Sequence, residues 1–374
     1  MDFDFSRLSR HPDVEGPELS ASDAADRLLL DEAADALAAA PDGTVVMIGD
    51  AYGALTLGAA ARSGARGIRV HQDALSGELA LAANARALGL DDGFASHGLD
   101  AALVAGARVV LVRLPRSLDA LDEIAATIAA HAASDVRVFA GGMVKHMAVA
   151  MNDVLRARFA RLDISHARQK ARVLIATGVI PDAGATRWPV SHRDARTGFG
   201  IVAHGAAFAG ASVDIGTRFL LEHLDDAVPD AAHAIDLGCG TGVLATALAL
   251  RRPGLRVRAT DQSAAAVTSA AATAAANGVG DRVDVVRDDA LSSVPSGSAE
   301  LIVLNPPFHI GAAVHPGIAR KLFADAGRVL APGGELWAVW NSHLRYRGDL
   351  ERLVGPTRQI ARNPTFTITA SRRA

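Results

Sequence analysis

Two stretches hold residue types suited to chemistry: Asp-Leu-Gly-Cys-Gly-Thr-Gly at 236–242 and Asn-Pro-Pro-Phe-His at 305–309. The first follows the apolar pair Ala234 and Ile235 and precedes a helix-like 243–250, so it reads as a strand-to-helix turn. Its glycines permit sharp bends and let a ligand approach the backbone without meeting a Cβ. The second follows the apolar run 301–304, typical of a buried parallel strand. It sets an amide, two prolines and an aromatic ring just past that strand's carboxyl end, where open α/β sheets bind ligands. Asp261 ends the next strand, about twenty residues beyond the turn, and suits the 2′- and 3′-hydroxyls of a ribose. A cap for the Ala-rich helix 263–276 is the competing reading. After a third strand at 283–286, Asp289 and Ala290 offer a carboxylate and backbone amides suited to an adenine edge, or simply a strand-end turn.

Other chemistries find no support. The third glycine of a dinucleotide fingerprint is replaced by Val243, which disfavours hydride transfer. No H-E-x-x-H pair, G-x-S-x-G elbow or G-x-x-x-x-G-K-[ST] loop occurs, so no metal site, serine hydrolase or P-loop enzyme is expected. Cys239 is the sole cysteine, which rules out an internal disulfide. The acidic amino-terminal residues lack a signal-like apolar region, and no uninterrupted apolar run reaches about 18 residues. A cytoplasmic protein without a membrane partner is the expectation.

The elements that must position these residues are written twice. Strands are expected over 44–48, 67–70, 109–114 and 136–140, with helices over 18–40 (Asp23 as cap), 75–88 and 118–131. This alternation predicts an α/β fold of the doubly wound, parallel kind. An offset of 189 residues superimposes Gly49 on Gly238, Gly53 on Gly242, Gln72 on Asp261 and Gly89 on Gly278 without a gap. Asn305 then falls opposite Arg113. The pattern is an internal duplication. The first copy has Met47 for Asp236, Asp50 for Cys239 and Ala51 for Gly240, which retains the scaffold and loses the site. The expected organisation is a degenerate domain at 1–180, a Pro/Gly-rich linker at 181–198 and a catalytic domain at 199–374.

Charge is uneven along the chain. Residues 1–60 carry twelve acids against three arginines, whereas residues 145–196 carry ten basic residues against four acids. The basic segment, with Lys145, Arg156, Arg158, Arg161 and Arg168, suits RNA phosphates, and a solvated face is the plain alternative.

The glycine turn with Asp261 and Asp289 resembles the class I S-adenosylmethionine-dependent methyltransferases. The Asn-Pro-Pro-Phe-His stretch is similar to their subset acting on exocyclic or amide nitrogens. Together with the duplication and the lead-in at 208–220, it resembles the ribosomal RNA guanine-N2 methyltransferases, the large-subunit type more than the small. The resemblance implies two tandem Rossmann-like methyltransferase domains, the first degenerate and helping to bind ribosomal RNA. It assigns S-adenosylmethionine to Asp236, Gly238, Gly240, Gly242, Asp261, Gln262, Asp289, Ala290 and Asn305, and catalysis to Asn305, Pro306, Pro307 and Phe308. A guanine N2 lone pair is delocalised into the ring, so acceptors that orient the amine are the help it needs. Rival readings are a protein-glutamine N5 or DNA adenine-N6 methyltransferase and a non-catalytic RNA-binding relic. The lead-in departs from the family at Ala209, Gly210 and Ala211, where a Ser–Arg pair is common.

Overall fold

The computed structural model describes residues 3–307 and 316–374. The chain divides into two compact units, Met1–Trp188 and Pro189–Ala374. The first unit contains β1 (Val45–Ile48), β2 (Ile68–His71), β3 (Phe94–Ser96), β4 (Val109–Arg113), β5 (Arg137–Met143), β6 (Phe159–Ile164) and β7 (Ala171–Val179). The second contains a hairpin of β8 (Val190–Arg193) and β9 (Gly200–Ala203), then β10 (His233–Leu237), β11 (Arg256–Asp261) and β12 (Val283–Arg287). It closes with β13 (Ala299–Leu304), β14 (Leu330–Asn341), β15 (Thr357–Arg362) and β16 (Phe366–Arg372).

The first sheet runs β3-β2-β1-β4-β5-β7-β6 and the second β12-β11-β10-β13-β14-β16-β15. Numbered within its own sheet, each reads 3-2-1-4-5-7-6, so the duplication seen in the residues is also a duplication of topology. The first five strands of each seven-stranded sheet pair in parallel. The last two pair antiparallel, which the purely parallel expectation had not included.

Period-two alternation divides the central strands between two cores. Val45 and Met47 pack with the helices Ala24–Glu32 and Ala54–Ser63, whereas Val46 and Ile48 pack with Leu118–His131. In β10, Ala234 faces the layer of the helix Val243–Arg251, and Ile235 and Leu237 face the opposite one. The same alternation turns Asp236 toward Val243–Arg251.

Helices Leu75–Leu88 and Leu118–His131 have the expected bounds. The helix expected over 18–40 starts at Ala24, because Asp23 closes a capping box with Asp26, and it breaks at Ala33 into two segments. Val190–Arg193 lies in the stretch read as a linker yet forms a strand. Its partner β9 is held by one face of the helix Ala264–Ala276 and the residue beyond it. Ser269 and Thr273 accept from the amides of His204 and Val202, and Asn277 from that of Gly200, at 2.9–3.0 Å. The four-residue spacing of these side chains follows the helical repeat.

Candidate methyl-transfer site

The site begins with the turn after β10. Gly238, Gly240 and Gly242 have φ of +70°, +53° and +74°. A Cβ at Gly238 or Gly240 would meet no atom within 4 Å, so both face open space. A Cβ at Gly242 would stand 2.8 Å from the Ala270 side chain, so this glycine serves helix packing. Thr260 pins the turn, its carbonyl accepting from the amides of Gly238 and Cys239 at 2.8 and 2.9 Å.

Asp236 is buried, and its Oδ2 accepts from the Ala245 amide at 2.9 Å. That amide is the third of the helix Val243–Arg251, one of the donors a helix leaves unpaired at its start. Oδ1 has no hydrogen-bond partner among the described residues. Burial pushes the Asp236 carboxyl up to about 7, opposed by the Ala245 amide and assisted by the charge of Asp261. Burial and the same two acids hold the Cys239 thiol protonated, which excludes a thiolate nucleophile there.

Asp261 bridges the glycine turn to the next helix. Its carboxylate accepts from the Gly240 amide at 3.0 Å and the Ser263 amide at 2.9 Å. The cap of the helix Ala264–Ala276 is Ser263, whose Oγ accepts from Ala266 at 3.1 Å, so capping is not the work of Asp261. Gln262 follows, its carbonyl accepting from Arg287 at 3.2 Å. Asp288 is buried in a turn formed with Ser292 and Ser293. Asp289 receives Lys321 Nζ at 2.6 Å on both oxygens, and Ala290 follows with a φ of +58°. A carboxylate read as an adenine contact thus already has a cation beside it, a partnership that a separation of 32 positions hid.

Asn305 stands at the end of β13 with Pro306 buried and Pro307 exposed; Phe308 and His309 lie outside the described residues. Its Nδ2 donates to Asp214 Oδ2 at 2.9 Å and to Thr217 Oγ1 at 3.0 Å. Oδ1 is buried and has no partner among the described residues. Asp214 caps the helix Ile215–Leu221, accepting from Gly216 and Thr217 amides with the same oxygen. That helix is tied to the β8–β9 turn by Arg218, whose guanidinium lies 2.9 Å from Asp194 and holds its carboxyl well below the usual range. A cavity of about 50 Å³ joins Asp214, Thr217 and Asn305 to Asp236, Gly238 and Gly240. Phe208, 69 % exposed, lines it too. Asp214, Thr217 and Phe208 were not expected as site residues, although all three sit in the lead-in that carried the family resemblance.

The first copy shows the same positions closed. Asp50 sits where Cys239 does in the second copy, and its carboxylate accepts from Leu55 at 3.1 Å and Thr56 at 2.7 Å. Arg113, opposite Asn305, lies 2.8 Å from Asp23 and 3.2 Å from Asp26. Burial pushes Asp26 up to about 6, and Arg113 opposes the shift. The helix start and the strand end are filled by the chain's own side chains.

Of the five cations expected to meet RNA, Lys145, Arg156 and Arg161 are exposed. Arg168 is exposed as well; it pairs with the distant Asp31, whereas Arg156 and Arg161 pair with the neighbouring Asp153 and Asp163. Arg158 is instead drawn into the fold. It is 15 % exposed and donates to Asp122 at 3.0 Å and to the carbonyls of Ala183 and Ala185. Composition alone could not separate it from its neighbours.

Among the described residues no cluster fit for a metal occurs, and no helix is long and apolar enough to cross a membrane. A sheet ordered 3-2-1-4-5-7-6, with a glycine turn after its first strand and Asn-Pro-Pro after its fourth, defines a Rossmann-like methyltransferase domain, and the first unit repeats the sheet order without those motifs. The family described as RLMG N-terminal domain matches residues 1–179, and that described as Methyltransferase small domain matches 198–370. A ribosomal RNA large subunit methyltransferase G of Pseudomonas paraeruginosa is 36 % identical over 363 residues, covering 96 % of both chains. One of Streptomyces avermitilis is 35 % identical over 372 residues, covering 96 % of this chain and 95 % of the relative. The chain belongs to this ribosomal RNA large subunit methyltransferase G family. Its fold is similar to that of a T. Thermophilus 16S rRNA N2 methyltransferase (RsmC) solved with AdoMet and guanosine, with a TM-score of 0.75. That pair is 21 % identical, and the match covers 94 % of this chain and 92 % of the other.

Proposed function

We propose that this protein methylates the exocyclic N2 amine of a guanine in large-subunit ribosomal RNA. The observation that carries the reading is the Asn305 carboxamide, with both N–H donors directed to Asp214 and Thr217 and Oδ1 left as a buried acceptor. The residues of the turn fit S-adenosylmethionine: Gly238 and Gly240 leave room for a ligand, and Asp236 Oδ1 is an acceptor without a partner among the described residues. Asp261 with Gln262 would hold the ribose end, and Asp289 with Ala290 the adenine end. S-adenosylmethionine supplies an electrophilic methyl group on a sulfonium.

The chain's own part is to present the amine. Asn305 Oδ1 and the Pro306 carbonyl accept its two hydrogens, which fixes the nitrogen and draws its lone pair out of conjugation. Pro306 and Pro307 restrict the backbone so that these acceptors stay aligned. Phe208, which lines the cavity, offers an aromatic face to the base, and Phe308, next after the prolines in the sequence, is the second aromatic residue assigned to stacking. No strong base is required, because the methylated amine is acidic enough to lose its proton to water or to an acceptor. Incubating the protein with methyl-labelled S-adenosylmethionine and deproteinised large-subunit RNA, then digesting to nucleosides, should place the label in N2-methylguanosine. Label in another nucleoside would refute the reading.

The first domain serves as a docking body, and 199–374 as the catalytic domain. A base inside an RNA helix is out of reach, so the target lies in a loop or is flipped, with flanking phosphates held elsewhere. Lys145, Arg156 and Arg161, exposed and not tied to a distant part of the chain, are cations available for this. Replacing all three by Ala should flatten the salt dependence of RNA binding by about 2 in log–log slope, at roughly 0.7 per phosphate lost. Titrations at several salt concentrations check this, and an unchanged slope would reduce them to solvated charges. Such a substrate fits a cytoplasmic enzyme.

A further inference from the structure

We infer that Asp214 and Thr217 are positioning residues that fix which face of the Asn305 carboxamide meets the target amine. The inference rests on Asn305 Oδ1 as the amine acceptor, as proposed above.

A carboxamide can rotate by half a turn and exchange its oxygen for its nitrogen at little steric cost. With the nitrogen facing the target, two N–H donors would oppose the hydrogens of an amine, and the site would repel its substrate. Something must choose the orientation. Asp214 Oδ2 already accepts from the Gly216 and Thr217 amides and so presents lone pairs, which only the nitrogen of Asn305 can face at 2.9 Å. Thr217 Oγ1, at 3.0 Å, takes the second N–H. With both donors engaged, the oxygen is left as the outward group, and it is the atom found buried without a partner among the described residues.

The geometry at Asp214 is economical. One oxygen accepts from the Gly216 amide at 2.9 Å, from the Thr217 amide at 3.1 Å and from Asn305. The helix cap and the amide orientation therefore come from a single atom, and a Cβ at Gly216 would stand 3.5 Å from Asn305 Nδ2. The first copy repeats the device: Asp23 caps its helix and grips Arg113 through both guanidinium nitrogens, while Asp26 occupies the place of Thr217. There the gripped residue has donors only, so no acceptor is left over for a substrate.

The cap and the orienting contact can be separated by substitution. Asp214→Ser keeps an N-capping oxygen and is too short to reach Asn305. Asp214→Asn can place its carbonyl oxygen where Oδ2 now accepts all three bonds. Thr217→Val removes the second acceptor without changing shape. Single-turnover methyl transfer and S-adenosylmethionine affinity would be measured for each, beside Asn305→Ala and the double variant Asp214→Ser/Asn305→Ala. Asp214→Ser should lower kcat about 10²-fold, the scale of a misplaced reacting group, with cofactor affinity unchanged. Asp214→Asn should recover most of that loss, and Thr217→Val should lower kcat by about tenfold, one hydrogen bond's worth. The double variant should be no slower than Asn305→Ala, because an absent carboxamide has no orientation to lose. Full kcat in Asp214→Ser, no recovery in Asp214→Asn, equal loss of cofactor affinity, or multiplied effects in the double variant would each overturn the inference. An active Asn305→Ala would instead overturn the reading beneath it.

Discussion

Asn305→Ala binds S-adenosylmethionine with nearly the parental affinity and transfers its methyl group at least about 10³-fold more slowly, the scale of losing a preorganised polar group at a reacting centre. The two halves of that expectation come from different parts of the site. Cofactor affinity is assigned to the turn after β10 and to Asp261, which are held by the Thr260 carbonyl, the Ala245 amide and the Gly240 amide. None of those bonds involves Asn305. The rate is assigned to the buried acceptor at the end of β13, which Ala removes altogether. Calorimetric titration with the cofactor and single-turnover transfer to RNA measure the two halves separately. Equal losses in both would mean that Asn305 belongs to the cofactor site instead. A preserved rate would leave the Pro306 carbonyl as the only acceptor the amine needs.

The parts of this site that were legible in the sequence are those set by adjacency. A glycine turn after an apolar strand, an acid at the end of the next strand and an amide before two prolines are each local patterns, and the sheet order brings all three to one edge. The duplication sharpened them, because residues lost in one copy and kept in the other do not serve the scaffold. What escaped depends on distance. Asn305 meets Asp214 and Thr217 across 91 and 88 residues, and nothing in the composition of the lead-in says that its acid faces an amide. Lys321 beside Asp289 escaped for the same reason, and so did the strand at Val190–Arg193, whose partner strand is held by side chains of a helix. Arg156 and Arg158 look alike in a charge count; only the fold shows one exposed and the other bonded to Asp122 and two carbonyls.

The first copy suggests how such a site is retired, and it can be imposed on the second. Each helix after the glycine turn needs one carboxylate for its unpaired amides. In the second copy it comes from the strand, through Asp236; in the first, Met47 occupies the strand position and Asp50 reaches in from the turn. The choice matters because an acid in the turn fills the space a ligand would use, whereas an acid under the helix leaves it open. Cys239→Asp alone would put two buried acids on one helix start. Asp236 already has its carboxyl raised to about 7 by burial and the charge of Asp261, and a second acid would raise it further. A raised carboxyl favours folding in its protonated form, so this variant should lose stability as pH rises through about 7 and regain it in acid. The double variant Asp236→Met/Cys239→Asp recreates the first copy's arrangement of one acid per helix start. It should recover the parental Tm to within a few degrees, roughly 1 kcal/mol at this domain size. Cofactor affinity should fall at least about 10²-fold in both variants, since an acid in the turn takes up ligand space and repels the cofactor's carboxylate, and like charges brought together cost several kcal/mol. Thermal unfolding at pH 5.5 and 8 with calorimetric cofactor titration reads both effects. A double variant that folds and still binds the cofactor would show that Asp50 is not what closed the first site, and would shift that role to Arg113 and the two acids that hold it.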